Sequence, residues 1–218
     1  MINTGINKLN EILGGGIRRG IITDIFGRGG IGKTQLAMQI CVNSLINNGK
    51  IFYQDTKGDF RPERMLELIK AKNESSSLLE NVTVARATNI IEQVKLVEKI
   101  TVINDISLLV IDDVTDLFSF EFSKESQSLR KHILFMKYMH NLVLTAIKKK
   151  IPIIVTNVVR SSNFAEKENL ERSIGMFTHQ KIYLSKVGSK NAAQVFSPFC
   201  PAERIFFVIR PDGIFDYS

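Results

Sequence analysis

Cysteine occurs only twice in this 218-residue chain, as Cys41 and Cys200. Two residues so far apart supply neither a disulfide framework nor a zinc-type cluster, and the count fits a reducing compartment such as the cytoplasm. No apolar run reaches the roughly 18 residues that a membrane-spanning helix needs, so no membrane span is expected. The first residues show no basic segment followed by an apolar run and a small-residue cleavage site, so no secretory leader is expected. Internal repeats and linker-like stretches are missing too. With 44% hydrophobic residues, the composition predicts one globular domain over residues 1–218 with a single substantial core.

Acidic charge is scarce in one half only. Residues 1–122 carry 14 Lys/Arg against 15 Asp/Glu, whereas residues 123–218 carry 15 against 7. The positive field therefore belongs to the second half, where an anionic polymer such as nucleic acid is the natural partner. Charge alone does not separate this from a basic protein with no polymer ligand.

The strongest positive signal is Gly27-Arg28-Gly29-Gly30-Ile31-Gly32-Lys33-Thr34, a complete G-x-x-x-x-G-K-[ST] phosphate-binding pattern. An apolar run, Ile21 to Phe26, precedes it as a short buried strand, and Gln35 to Ile40 follow with helical periodicity. In that context the backbone N–H groups of Gly27, Arg28, Gly29, Gly30, Ile31 and Gly32 cradle phosphates, aided by the helix N-terminus. Lys33 reaches the terminal phosphates of ATP, and the Thr34 hydroxyl sits on Mg2+.

Ahead of the loop, Ile6, Leu9, Ile12 and Leu13 share a helical face that ends at three glycines. Lys50 to Gln54 and Val82 to Ala85 read as strands, and Pro62 opens a helix that turns Met65, Leu66 and Ile69 inward. Asn89 with Glu92 predicts a capped helix carrying Ile90, Ile91, Val94, Val97 and Ile100. Leu108-Leu109-Val110-Ile111-Asp112-Asp113 reads as a central parallel strand ending in acid. Asp112, at that tip beside the phosphate loop, is placed to hold the Mg2+ shell, with Asp113 pointing elsewhere.

Residues 119–128 read as a polar connection, and a long helix is predicted from about Leu129 to Lys149. Pro152 to Asn157 is another core strand. Residues 159–180 carry Arg160, Lys167, Arg172 and His179 with little strand pattern. A structureless stretch of this length in a compact domain is usually functional. The short strands at 181–184, 192–196 and 204–209, with the turn at Pro211-Asp212-Gly213, predict an antiparallel extension. The fold expected is therefore α/β: a central, mostly parallel sheet with helices on both faces and a C-terminal antiparallel extension.

The chain resembles the archaeal and eukaryotic RecA-like recombinases. The resemblance runs through Thr4 to Gly20, the loop at 27–34, Asp55 to Arg64, Leu108 to Asp112, Thr156 to Val159 and Arg210 to Asp216. Without a separate N-terminal helical domain, the chain looks like the RadB family of archaeal recombinase paralogues. KaiC-type ATPases share the N-terminal signature, but Phe60-Arg61-Pro62-Glu63-Arg64 favours the recombinase branch. The alternative is a KaiC-like signalling or assembly ATPase that does not bind nucleic acid.

The resemblance implies an ATP-binding, RecA-like core with Mg2+ that serves homologous recombination and DNA repair. It places Arg64 beside the adenine and makes Asn157 the residue that senses the nucleotide state. It makes 120–128 and 159–180 the DNA-facing loops. The expected partners are DNA, single-stranded or read without strong sequence preference, recombinase or replication proteins, and further copies of the chain. Three departures stand out. Lys57 occupies the position of the family's catalytic glutamate, and an ammonium is no general base at neutral pH. Val158 replaces a coupling glutamine, and Lys124-Glu125-Ser126 replaces a Gly/Arg-rich run. The expectation is weak or absent ATP hydrolysis, no assignable catalytic residue and no autonomous strand exchange. Lys57→Glu is expected to raise ATPase activity where the remaining groups are in place.

Overall fold

A computed structural model describes residues 1–162, 165–198 and 200–217. The short helix α1 (Asn7–Ile12) precedes strand β1 (Ile22–Gly27), the phosphate loop and helix α2 (Lys33–Ile46). Strand β2 (Ile51–Asp55), helix α3 (Pro62–Ala71) and strand β3 (Val82–Arg86) follow, then α4 (Ile90–Val102), β4 (Leu108–Asp112) and α5 (Asp116–Glu121). Helix α6 (Ser128–Lys149) leads into β5 (Ile153–Ser162), β6 (Ala165–Glu168) and α7 (Glu171–Ile174). Four further strands, β7 (Gln180–Val187), β8 (Lys190–Ser197), β9 (Cys200–Arg210) and β10 (Gly213–Asp216), complete the order.

The sheet runs β10-β9-β8-β7-β1-β5-β4-β2-β3, with β6 paired to β5. From β7 to β3 the pairings are parallel; from β7 to β10 they are antiparallel. This is the mostly parallel sheet with an antiparallel extension that the sequence predicts.

Why the central strands are apolar throughout follows from the two cores. Leu108 and Val110 face one cluster with Leu36, Ile40 and Met65 from α2 and α3. Leu109 and Ile111 face the other, with Val97, Phe135 and Leu142 from α4 and α6. A strand covered on both faces loses the polar alternation of a surface strand.

Several local expectations need correction. In α3 the buried residues are Met65, Leu68 and Ile69, and Leu66 is half-buried, because the inward stripe lies one position further round. In α4, Ile91 is 64% exposed. Residues 119–128 are not a plain connection: α5 continues to Glu121, a 3-10 turn spans Glu125–Gln127, and α6 starts at Ser128. The stretch 159–180 is not structureless either. Strand β5 runs ten residues, to Ser162, and turns back as β6, pairing Val159 with Glu168 and Arg160 with Lys167. Polar residues masked this hairpin: Arg160, Lys167 and Glu168 give it no apolar alternation to read. Residues 163 and 164 of that stretch lie outside the described residues.

Both ends of the chain are fastened to α2. Gln39 Nε2 donates to the carbonyls of Thr4 and Ile214, each at 2.9 Å, and Gln39 Oε1 accepts from Ile214 N at 2.6 Å. The Asp216 carboxylate accepts from the backbone N–H groups of Asn7 (2.8 Å) and Lys8 (3.0 Å) at the start of α1.

Candidate nucleotide-binding site

The phosphate loop leaves β1 at Gly27, whose backbone packs so tightly that an added Cβ would lie 2.3 Å from the Leu184 carbonyl oxygen. Gly32, at φ +104°, takes a left-handed conformation that starts α2. Lys33 Nζ donates to the carbonyls of Gly27 (3.0 Å) and Arg28 (2.9 Å), which folds the side chain back across the loop. Burial lowers the Lys33 pKa, and Lys57 lowers it further, while Asp113 and Asp112 act to raise it. A cleft of about 320 Å³ opens beside Gly30, Gly32, Lys33, Thr34, Arg61 and Arg64. Arg28, Gly29, Gly30 and Ile31 line a second hollow, of about 470 Å³, against Tyr183 to Lys186.

The predicted metal-binding pair meets. Thr34 Oγ1 donates to Asp112 Oδ2 at 2.7 Å. Tyr53 Oη donates to the same oxygen at 2.7 Å, and Thr156 Oγ1 donates to Asp112 Oδ1. Register explains Thr156: β4 and β5 pair Ile111 with Val155, so the next residues along the two parallel strands are neighbours. Burial first, and then Asp112, raise the Tyr53 pKa, which keeps its hydroxyl a donor. The chemistry of the donor set fits Mg2+, a hard cation that takes oxygen ligands and retains waters. Thr34 and Asp112 would hold it, and bound there it would neutralise phosphate charge. Among the described residues no group of three His, Cys, Asp or Glu side chains could form a cage for a metal ion.

Arg64 lies at the cleft, its Nε donating to Gln35 Oε1 at 2.9 Å and Nη1 to Glu67 Oε2 at 2.7 Å. Asn157, next to Thr156 in β5, is fully buried. Its Oδ1 accepts from Thr115 Oγ1 at 2.7 Å, and its Nδ2 donates to Glu168 Oε1 at 2.7 Å. It thus ties the turn after β4 to β6.

Lys57 and Asp113 form a pair that the sequence did not reveal. Lys57 Nζ donates to Asp113 Oδ2 at 3.2 Å, with the Lys57 side chain 30% exposed and that of Asp113 fully buried. Asp113 Oδ1 accepts from Thr115 N (2.8 Å) and Thr115 Oγ1 (3.1 Å). The Asp112–Asp113 peptide is cis. Thr56 joins the two strand ends: its Oγ1 donates to the Asp113 carbonyl at 2.7 Å and accepts from Asp113 N at 2.8 Å. Burial works against the Lys57 ammonium, but Asp113, with Asp116 and Asp112 behind it, holds the Lys57 pKa up. Burial pushes the Asp113 carboxyl up, against the pull of Lys57. The visible signal was an acid following the strand-end acid, with a lysine two residues beyond Asp55 on a neighbouring strand.

A second buried charge cluster lies behind the hairpin. Lys181 pairs with Asp24 Oδ2 at 3.4 Å and with Glu168. Neither Asp24 oxygen meets an aligned hydrogen-bond donor among the described residues. Burial, then the Glu168 charge, raises the Asp24 pKa well above its ordinary 3.8. The native carboxyl therefore keeps its proton at pH values where the unfolded chain has released it, and stability falls as pH rises from 3.8 towards the native pKa. Asp24→Asn removes that titration. Its urea midpoint should gain on wild type as pH rises above the ordinary 3.8; a difference that does not change with pH would contradict this.

On the hairpin, Arg160 and Lys167 stand directly opposite each other, and both are exposed, as is Arg172 in α7. Like charges facing across a strand pair disfavour each other. Among the described residues no helix is long and apolar enough to cross a membrane.

A phosphate loop after β1 and an acid at the end of β4, with β5 between them, define a RecA-like P-loop ATPase core. The family model described as Rad51 matches residues 1–217, and the chain belongs to that family of recombination and repair proteins. The DNA repair and recombination protein RadA of Cenarchaeum symbiosum is 33% identical over 99% of this chain, which spans 58% of that relative's length. RadB of Pyrococcus abyssi is 31% identical over 99% of the chain and 93% of its own length. RadB of Methanocaldococcus jannaschii is 36% identical over 71% of the chain and 73% of its own length. These relatives are archaeal. Proteins of this fold family generally use ATP and Mg2+.

Proposed function

We propose that this chain binds ATP with Mg2+ and binds DNA, as a cytoplasmic accessory of homologous recombination and repair with weak or absent hydrolysis and no autonomous strand exchange. The observation that carries the nucleotide half is the 2.7 Å bond from Thr34 Oγ1 to Asp112 Oδ2. It brings the loop's hydroxyl and the strand-end acid to one point, where together they would hold Mg2+ against the phosphates. Lys33, folded on its own loop, would exchange two carbonyl acceptors for phosphate oxygens, and Arg64 would border the base. Hydrolysis requires a group that orients and deprotonates water; the position that resembles the family's glutamate holds Lys57, bonded to Asp113.

The DNA half is supported by the basic second half of the chain and by exposed Arg160 facing exposed Lys167 on the hairpin. Such contacts are read through phosphates, so affinity should fall steeply with salt.

ATP binding and ATPase rate, each measured with and without single-stranded DNA, test the reading. Micromolar to millimolar ATP binding with little turnover is expected. Lys33→Ala should weaken ATP binding roughly 10- to 100-fold, the scale of one or two lost charge-assisted bonds. Unchanged affinity would remove Lys33 from the phosphate site. For DNA, fluorescence polarisation across salt concentration should show binding at low salt. A nucleotide-dependent ring with no DNA affinity would instead favour the KaiC-like assembly reading.

A further inference from the structure

We propose that Lys57 is a second phosphate-recognising cation, making the site select a nucleoside triphosphate over a diphosphate where relatives would activate water. This rests on the nucleotide-binding reading above.

Three observations carry it. Lys57 is held in place at the active end of the sheet. Asp55 and Asp112 are register partners in β2 and β4, and Thr56 N donates to the Asp112 carbonyl at 2.8 Å. The Asp55 carboxylate accepts from the backbone N–H groups of Lys57 (3.0 Å) and Gly58 (2.7 Å), so the turn that carries Lys57 is fixed. Secondly, the turn that carries Lys57 is joined to the phosphate loop through one residue: Asp112, whose carbonyl accepts from Thr56 N, takes the Thr34 hydroxyl on its carboxylate at 2.7 Å. The Lys57 charge also bears on that of Lys33. Thirdly, Asp113 is anchored from behind by Thr115 and offers Lys57 a fixed counter-charge. An ammonium has three donors, and the 30% exposure of this one leaves it accessible from the solvent side. A lysine so placed carries its charge without being a lone buried cation.

A triphosphate differs from a diphosphate by one terminal phosphoryl group with its charge. A cation at this position, beyond Lys33, acts on that difference; the phosphates shared by both nucleotides are already served by the loop.

The test is competition of a non-hydrolysable ATP analogue and of ADP, each with Mg2+, against a fluorescent nucleotide. It uses wild type, Lys57→Met, Lys57→Arg and the double variant Lys57→Met/Asp113→Asn. Wild type should prefer the triphosphate analogue. Lys57→Met should weaken the analogue about tenfold and ADP less than about twofold, the scale of a single charged contact. Lys57→Arg should retain the preference. The double variant, which leaves no unpaired carboxylate, should match Lys57→Met. Equal losses for both nucleotides, no loss for either, or recovery in the double variant would overturn the inference while nucleotide binding stood. Wild-type protein that binds neither nucleotide would overturn the nucleotide reading along with it.

Discussion

Lys57→Glu is expected to destabilise the protein and to bring no gain in ATP hydrolysis. From sequence alone the substitution restores a catalytic acid. In the folded chain it sets a second carboxylate against Asp113, which is fully buried and has Lys57 as its ionic partner at 3.2 Å. Removing one member of a fully buried pair costs about 3–5 kcal/mol, because the remaining charge is stranded; with Lys57 30% exposed, the cost here should fall below that range. Repulsion adds to this, or else one carboxyl holds a proton and ceases to be a base. The urea midpoint should drop accordingly. Hydrolysis should rise only in Lys57→Glu/Asp113→Ser, where the new carboxylate has no buried rival and a hydroxyl can still bond to Thr115. A single Lys57→Glu variant as stable as wild type, or a faster ATPase, would show that Asp113 does not govern this position.

The second large effect belongs to Asp112→Ala. One carboxylate here accepts from Thr34, Tyr53 and Thr156, side chains of α2, β2 and β5. Loss of the acceptor leaves hydroxyls in a nearly closed space, and the expected cost is about 2–4 kcal/mol. Nucleotide affinity should at the same time lose its response to Mg2+, because Thr34 alone is a poor ligand for a cation that prefers carboxylate. Thermal unfolding and nucleotide titration with and without Mg2+ check the two parts separately. A variant of wild-type stability that still needs Mg2+ would place the metal elsewhere.

These two residues also show what could be read before folding. Asp112 was legible because a fully buried parallel strand is a continuous apolar run and its end is marked by the first acid. The phosphate loop was legible because glycine spacing and a lysine are demanded by one kind of ligand. Lys57 was legible as a departure, but its partner was not: Asp113 lies 56 residues away, and only the β2–β4 register brings the two together. Tyr53 and Thr156 escaped for the same reason, since a lone hydroxyl residue in an apolar run gives no sign of which face it serves. The β5–β6 hairpin was missed because charged residues such as Arg160, Lys167 and Glu168 break the apolar alternation by which a strand is read. Thr115, Asn157 and Glu168 then form a connected chain between the nucleotide end and that hairpin, which no spacing in the sequence discloses.

The clasp made by Gln39 has a consequence for the order in which the protein assembles. Its bonds to Ile214 span 175 positions of the chain, whereas its bond to Thr4 spans 35. Closing so long a loop is entropically slow, and contacts of that separation form after local ones are in place. Helix α2 is therefore expected to pack first against its own N-terminal neighbours and then under β10. Amide exchange at Ile214, more than at any residue of the central strands, reports when that final latch opens.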